Sequence, residues 1–159
     1  MTVNTKTLQG RRDLSFQTMD DIVADAEKLV ASSTARTIGN WPLDKLIMHL
    51  SKTVHNSIDG FESRAPLMIR LIMPFFKSKI INAKELKPGI NLPKAAIPVA
   101  YPEAGSLQEA LDDLRRAVAR TRTERMTVNH PAFGKMTHEE WNTLHLRHSE
   151  MHLSFALPK

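Results

Sequence analysis

The sequence predicts an all-α protein, a four-helix bundle, and three observations carry that expectation. Four segments repeat apolar residues at the helical period of about 3.6. Three of them open on a serine or threonine followed three places later by an acidic residue, a pairing that satisfies the free N–H groups of a first helical turn. No run alternates apolar and polar residues as a half-buried strand would, and no internal repeat is visible.

Residues 1–15 lack periodicity and hold Gly10 beside Arg11 and Arg12, so they read as an extended or poorly ordered arm. Thr18, with Asp20 and Asp21 behind it, caps a first helix over 19–32 whose apolar face is Ile22, Val23, Ala26, Leu29 and Val30. A turn at Gly39, Asn40 and Trp41 leads to Pro42, suited to a first helical position because its missing N–H would be unsatisfied there. The second helix spans 42–58, with Leu43, Leu46, Ile47, Leu50, Val54 and Ile58 as its core stripe. His49 lies toward one border of that stripe with Thr53 and Asn56, and His55 points elsewhere.

Asp59, Gly60 and Phe61 end this pattern. Residues 66–84 read as a further helical segment that Pro74 kinks or breaks. Pro88, Pro93, Pro98 and Pro102 with two glycines exclude regular structure over 87–106, which is expected to be a long loop or cover. The stretch 61–106 is therefore an irregular and helical excursion between the second and third bundle helices. Ser106 with Glu109 forms the next capping box, and Leu107, Ala110, Leu111, Leu114, Ala117 and Val118 give a helix over 107–124 with arginines outside. Residues 126–136 are a turn-rich link, and Thr137 with Glu140 opens the last helix, 137–157.

A chain of 159 residues fits a single domain, 1–159, able to bury roughly two thirds of its unfolded surface without staples. The absence of cysteine excludes disulfides, thiolate metal ligands, iron–sulfur clusters and a cysteine nucleophile, so any thiol chemistry needs a thiol from outside. The formal charge of +5 and pI near 9.7 raise nucleic acid as a partner, but the basic residues are dispersed and not interleaved with aromatics, and a nucleic-acid role is not expected. No apolar signal core opens the chain, so a cytoplasmic location is expected. The most apolar run, 66–76, is about half a bilayer span and carries Arg70, so no membrane partner is expected and the run reads as core or interface.

In the last helix, Trp141, Leu144, His148, Met151 and Phe155 fall on one apolar stripe with His145 and His152 on its flank. Burying titratable side chains on a core-facing stripe is costly unless they have partners. His148 and His152, one turn apart, can offer two imidazole ligands, and His49 is the one candidate for a third within a bundle helix. Three protein nitrogens with an open position would suit a catalytic divalent metal such as zinc or nickel. A satisfied core cluster of histidines explains the same pattern, and His145 could replace one member of the trio. Asn56 and Thr53 are candidates to support the ligands from behind, as is His145. His130 and His138 read as turn and helix-start residues.

Two apparent motifs fail. His138-Glu139 begins the H-E-x-x-H protease pattern, but Asn142 stands at its fifth position, and Ser149 follows His148 where the pattern has glutamate. No G-x-S-x-G elbow and no glycine-rich phosphate loop exists.

Gly39-Asn40-Trp41-Pro42 leading through Leu46 to His49-Leu50, with His148-x-x-x-His152-Leu153, resembles the DinB-like (YfiT-type) superfamily of metal-dependent enzymes. The run His130-Pro131-Ala132-Phe133-Gly134, followed by Glu140-Trp141 and His148, is closer to one of its branches of unknown function. The resemblance covers nearly the whole chain. It implies a four-helix bundle with one ligand on the second helix and two on the last, falling on His49, His148 and His152. It also implies a divalent metal at an open site, acting with a low-molecular-weight thiol as a thiol-dependent S-transferase, or with water as a related hydrolase, on a small-molecule substrate. Two departures stand out. Relatives often continue past the last histidine with glutamine and glycine, where this chain has Leu153-Ser154-Phe155-Ala156-Leu157, and Met151 replaces a common further histidine. The rival expectation is a non-catalytic binding protein, dimerising through 66–76, whose histidines form a structural cluster or a metal site without turnover.

Overall fold

The computed structural model of the chain describes residues 2–62, 64–89 and 105–158. Most of them are helical: α1 Met19–Ala31, α2 Leu43–Asp59, α3 Leu67–Ile81, α4 Leu107–Arg120 and α5 His138–Leu153. The strands β1 Arg36–Thr37 and β2 Ala156–Leu157 form the one small sheet among the described residues. No described helix is long and apolar enough to cross a membrane.

The expected caps account for most helix starts. Thr18 accepts from the Asp21 N–H while the Asp21 carboxylate accepts from the Thr18 N–H at 2.8 Å, and Thr137 and Glu140 repeat that reciprocal pair ahead of α5. Ser106 supplies only half of the expected box: its hydroxyl accepts from the Glu109 N–H, and no reciprocal bond is seen among the described residues. Pro42 stands at the N-cap of α2 in extended geometry, one place earlier than expected, and its carbonyl accepts from the Leu46 N–H. Helix α2 ends at Gly60, whose φ of 114° lies where a side chain would be strained.

α1, α2, α4 and α5 share one apolar core through Ile22, Ala26, Ile47, Leu50, Leu114 and Leu153, among others. α2 sits between its neighbours and is buried over the whole run Leu46, Ile47, Met48, His49, Leu50 and Ser51. That run covers more than the one-sided stripe periodicity predicts, since helices pack on it from several directions. A second cluster, around Ile81, Met126, Phe133, Met136, Trp141 and Leu144, lies where α3 and the 126–136 link meet α5.

Three local expectations change. α3 runs unbroken through Pro74, because the turn that loses its hydrogen bond faces solvent, where water can satisfy the freed Arg70 carbonyl. α4 stops at Arg120 rather than 124, where the Thr121 hydroxyl takes the Val118 carbonyl and the chain tightens into i→i−3 turns. α5 stops at Leu153, and Phe155 leaves the helical stripe to bury its ring against Gly39, where an added Cβ would come within 3.2 Å of the ring. Beyond it β2 pairs antiparallel with β1, Arg36 opposite Leu157 and Thr37 opposite Ala156, and the Ile38 N–H donates to the Phe155 carbonyl. Strands of two residues carry no period, so the sequence pattern has no means of showing them.

The arm is extended and fastened. Val3 and Asn40 exchange hydrogen bonds at 2.7 and 2.9 Å, and the Arg12 N–H donates to the Ser154 carbonyl. The Arg12 guanidinium grips Asp25 of α1 with both ends at 2.7 and 2.6 Å, tying the arm to the core. Of the expected cover over 87–106, residues 90–104 lie outside the described residues.

Candidate metal centre

α2 and α5 lie side by side, and that contact decides which histidines meet. His49 projects from the middle of α2 and is 6% exposed, while His148 and His152, one turn apart on α5, are half-buried beside it. One nitrogen from each of the three rings lies within 4.8 Å of the other two. The Nε2 atoms of His49 and His148 are 3.3 Å apart. The rings meet edge to face, with centroids at 5.0 Å for His49 and His148, 4.7 Å for His49 and His152, and 4.5 Å for His148 and His152. Nothing but this packing brings residues 49 and 148 together.

Burial holds the His148 and His152 imidazoles well below their ordinary pKa, and the neighbouring histidines push the same way. Both are therefore neutral near pH 7, the state in which an imidazole nitrogen has a lone pair to give. Two nitrogens on one tetrahedral ion, each about 2.0–2.1 Å from it, stand roughly 3.3–3.4 Å apart. The His49–His148 separation matches that spacing, and a donor set of nitrogen alone suits zinc, nickel, copper or iron. A direct hydrogen bond also fits 3.3 Å if one ring turns an N–H toward the other.

Trp41, in the turn before α2, is the site residue that periodicity missed. Its indole stacks on His152 at 5.3 Å and 16° and meets His49 edge-on at 5.0 Å. The β1–β2 pair and the close approach of Gly39 to Phe155 hold this turn against the end of α5, which is why Trp41 reaches both rings. The residue lies in the turn ahead of the Pro42 cap, outside any helix, so no helical period could have placed it.

The other histidines have partners of their own. His145, expected on a flank, is 2% exposed at the centre of the buried face, with Nε2 3.1 Å from the Ser57 hydroxyl and its ring stacked on Trp141 at 5.3 Å. Desolvation lowers its pKa to about 3. His130 accepts the Ala132 and Phe133 N–H groups on Nδ1, packs among Phe61, Phe133 and Trp141, and is lowered by burial to about 4. His138 accepts the Met126 N–H. His55 lies against Arg120, and burial lowers its pKa while Asp113 partly offsets the shift.

Thr53 and Asn56, expected behind the ligands, both lie on α2 past His49. Thr53 gives its hydroxyl to the Leu50 carbonyl of its own helix at 2.8 Å. Asn56 is half-buried one turn further on, and among the described residues neither side chain hydrogen-bonds to His148 or His152.

Comparison with known proteins adds a family without a chemistry. No curated protein and no solved structure matches the chain. A family model described as "Protein of unknown function (DUF1569)" matches residues 8–159, and the chain belongs to that family.

Proposed function

We propose that this protein is a DinB-like four-helix-bundle metalloprotein in which His49, His148 and His152 hold a divalent ion, zinc or nickel by the chemistry of the donors. The observation that supports this most is the convergence of three imidazoles from two helices, two of them at the nitrogen–nitrogen spacing of a tetrahedral site. Three protein ligands leave a position for a small molecule. An ion held there supplies Lewis acidity, bringing the pKa of a coordinated thiol or water toward neutrality.

The chain's own residues prepare the rest. His49 is buried on α2, while His148 and His152 present two nitrogens from a single turn spacing. Trp41 fixes two of the rings from one side and keeps water from that wall. With no cysteine in the chain, a thiol nucleophile would come from a low-molecular-weight cofactor, so the reaction class is a thiol-dependent S-transfer to a small electrophile, with hydrolysis as its neighbour.

A second reading is a binding protein without turnover, favoured by the His49–His148 contact read as a hydrogen bond in a structural cluster. Elemental analysis of purified protein separates the two at the first step. About one equivalent of a transition metal per chain, lost in His148→Ala, is the expected result, and a metal-free wild type of unchanged stability removes the centre. Turnover of model electrophiles with added thiol by the metal-loaded protein then distinguishes enzyme from binder.

A further inference from the structure

Helix α3 is turned the wrong way for a helix that only supports the fold. Its inner side gives Met73, Ile80 and Ile81 to the second apolar cluster, and Lys77 reaches Glu140 at 2.7 Å. Its outer side is more apolar than its inner one. Leu67, Leu71 and Phe75 form one ridge at four-residue spacing, and Met68, Ile72 and Phe76 form the next. These six are 46–87% exposed, with Phe75 at the summit. Scattered exposed apolar residues need no explanation, but two adjacent ridges make a continuous patch.

We propose that this face of α3 docks on the same face of a second copy of this chain. Its apolar surface is on the order of 800 Å², about what one partner contributes to a standard interface. The six ridge residues carry no charge and include two phenylalanines and a methionine, residue types enriched at an interface centre, while Arg70 stands off the ridges and Lys79 follows Phe75 at the end of the first one. The patch is also complementary to itself. A two-fold axis between Leu71 and Ile72 sets two antiparallel α3 helices with the bulky Phe75–Phe76 end of each on the slimmer Leu67–Met68 end of the other. Four-residue ridges can then interlock by the commonest helix-packing mode. The inference rests on packing alone and is independent of the metal centre.

Sedimentation of the full chain tests it. The expected mass is twice the 18.0 kDa of one chain at micromolar concentration, and it persists at high salt because the contact is apolar. Phe75→Asp is expected to raise the dimer dissociation constant about thirtyfold or more, with helix content and melting temperature of the monomer unchanged because the side chain is 87% exposed. The absence of cysteine permits a second measurement that does not depend on that variant. Leu71→Cys should cross-link two chains on oxidation, whereas Lys28→Cys, on the exposed side of α1, should not. A monomeric wild type, or a dimer that survives Phe75→Asp, overturns the proposal. So does a monomer that binds anionic phospholipid vesicles through Phe75, which would assign the face to a lipid surface.

Discussion

Two groups of histidines meet on helix α5, one reaching it from the 126–136 link, and they differ in what their nitrogens face. His145 stacks on Trp141 and His130 packs among Phe61, Phe133 and Trp141, and each finds its hydrogen-bond partner within the fold: the Ser57 hydroxyl for one, the Ala132 and Phe133 N–H groups for the other. His148 and His152, three and seven residues further on, turn their nitrogens toward each other and toward His49. Burial lowers the pKa in both groups, so a shifted histidine is no mark of a site by itself. Convergence of like donors is the distinguishing feature. A core has no reason to bring three lone pairs together, whereas an ion gains from it.

The comparison breaks most visibly under alanine substitution. His148→Ala is expected to lose the metal entirely while keeping the fold. His145→Ala should keep the metal and lose about 2–4 kcal/mol of stability, as expected for emptying a packed, fully buried site. Metal content and urea midpoints, measured on both variants, check this crossed pattern, and a His145→Ala protein that is metal-free but stable would merge the two groups.

Acid sharpens the contrast next. His130 and His145 have folded pKa values of about 4 and about 3, below the unfolded value near 6.5, so the unfolded chain binds more protons between these limits. Their contribution to stability is complete above pH 6.5 and is lost as pH falls toward 4, at up to about 1.4 kcal/mol per pH unit for each group. Urea midpoints at pH 7 and pH 5 should fall accordingly. His130→Asn, which keeps an acceptor for the two N–H groups, should show a shallower fall.

The smallest expected effect is at Trp41. Trp41→Ala should weaken metal binding about tenfold by freeing the His152 and His49 rings, and Trp41→Phe should recover most of it. Competition against a chelating dye measures both. Equal affinity in all three proteins would mean that the ligands need no such wall.

Much of this architecture is legible in the residues themselves. Thr18, Thr137 and Ser106 mark helix starts because capping is a local exchange of hydrogen bonds between residues three apart. His148 and His152 declare themselves as a pair because a helical turn is a property of one segment. Spacing puts His145 on a flank because Met151 and Phe155 centre the apolar stripe of α5, and Phe155 in fact leaves the helix for a tertiary contact with Gly39. Pro74 reads as a break because the exposure that lets a helix keep it is not written in the local pattern.

The sequence alone therefore determined the helices, their caps and the spacing of two candidate ligands, all of which depend on neighbours within a turn. Only the tertiary structure decided that His49 on α2 stands 3.3 Å from His148, that a two-residue strand pair holds the Trp41 turn against both α2 and α5, and that α3 turns its apolar ridges outward. Each is a matter of register or orientation between distant segments. Packing of whole faces sets these, and no period within one segment encodes them.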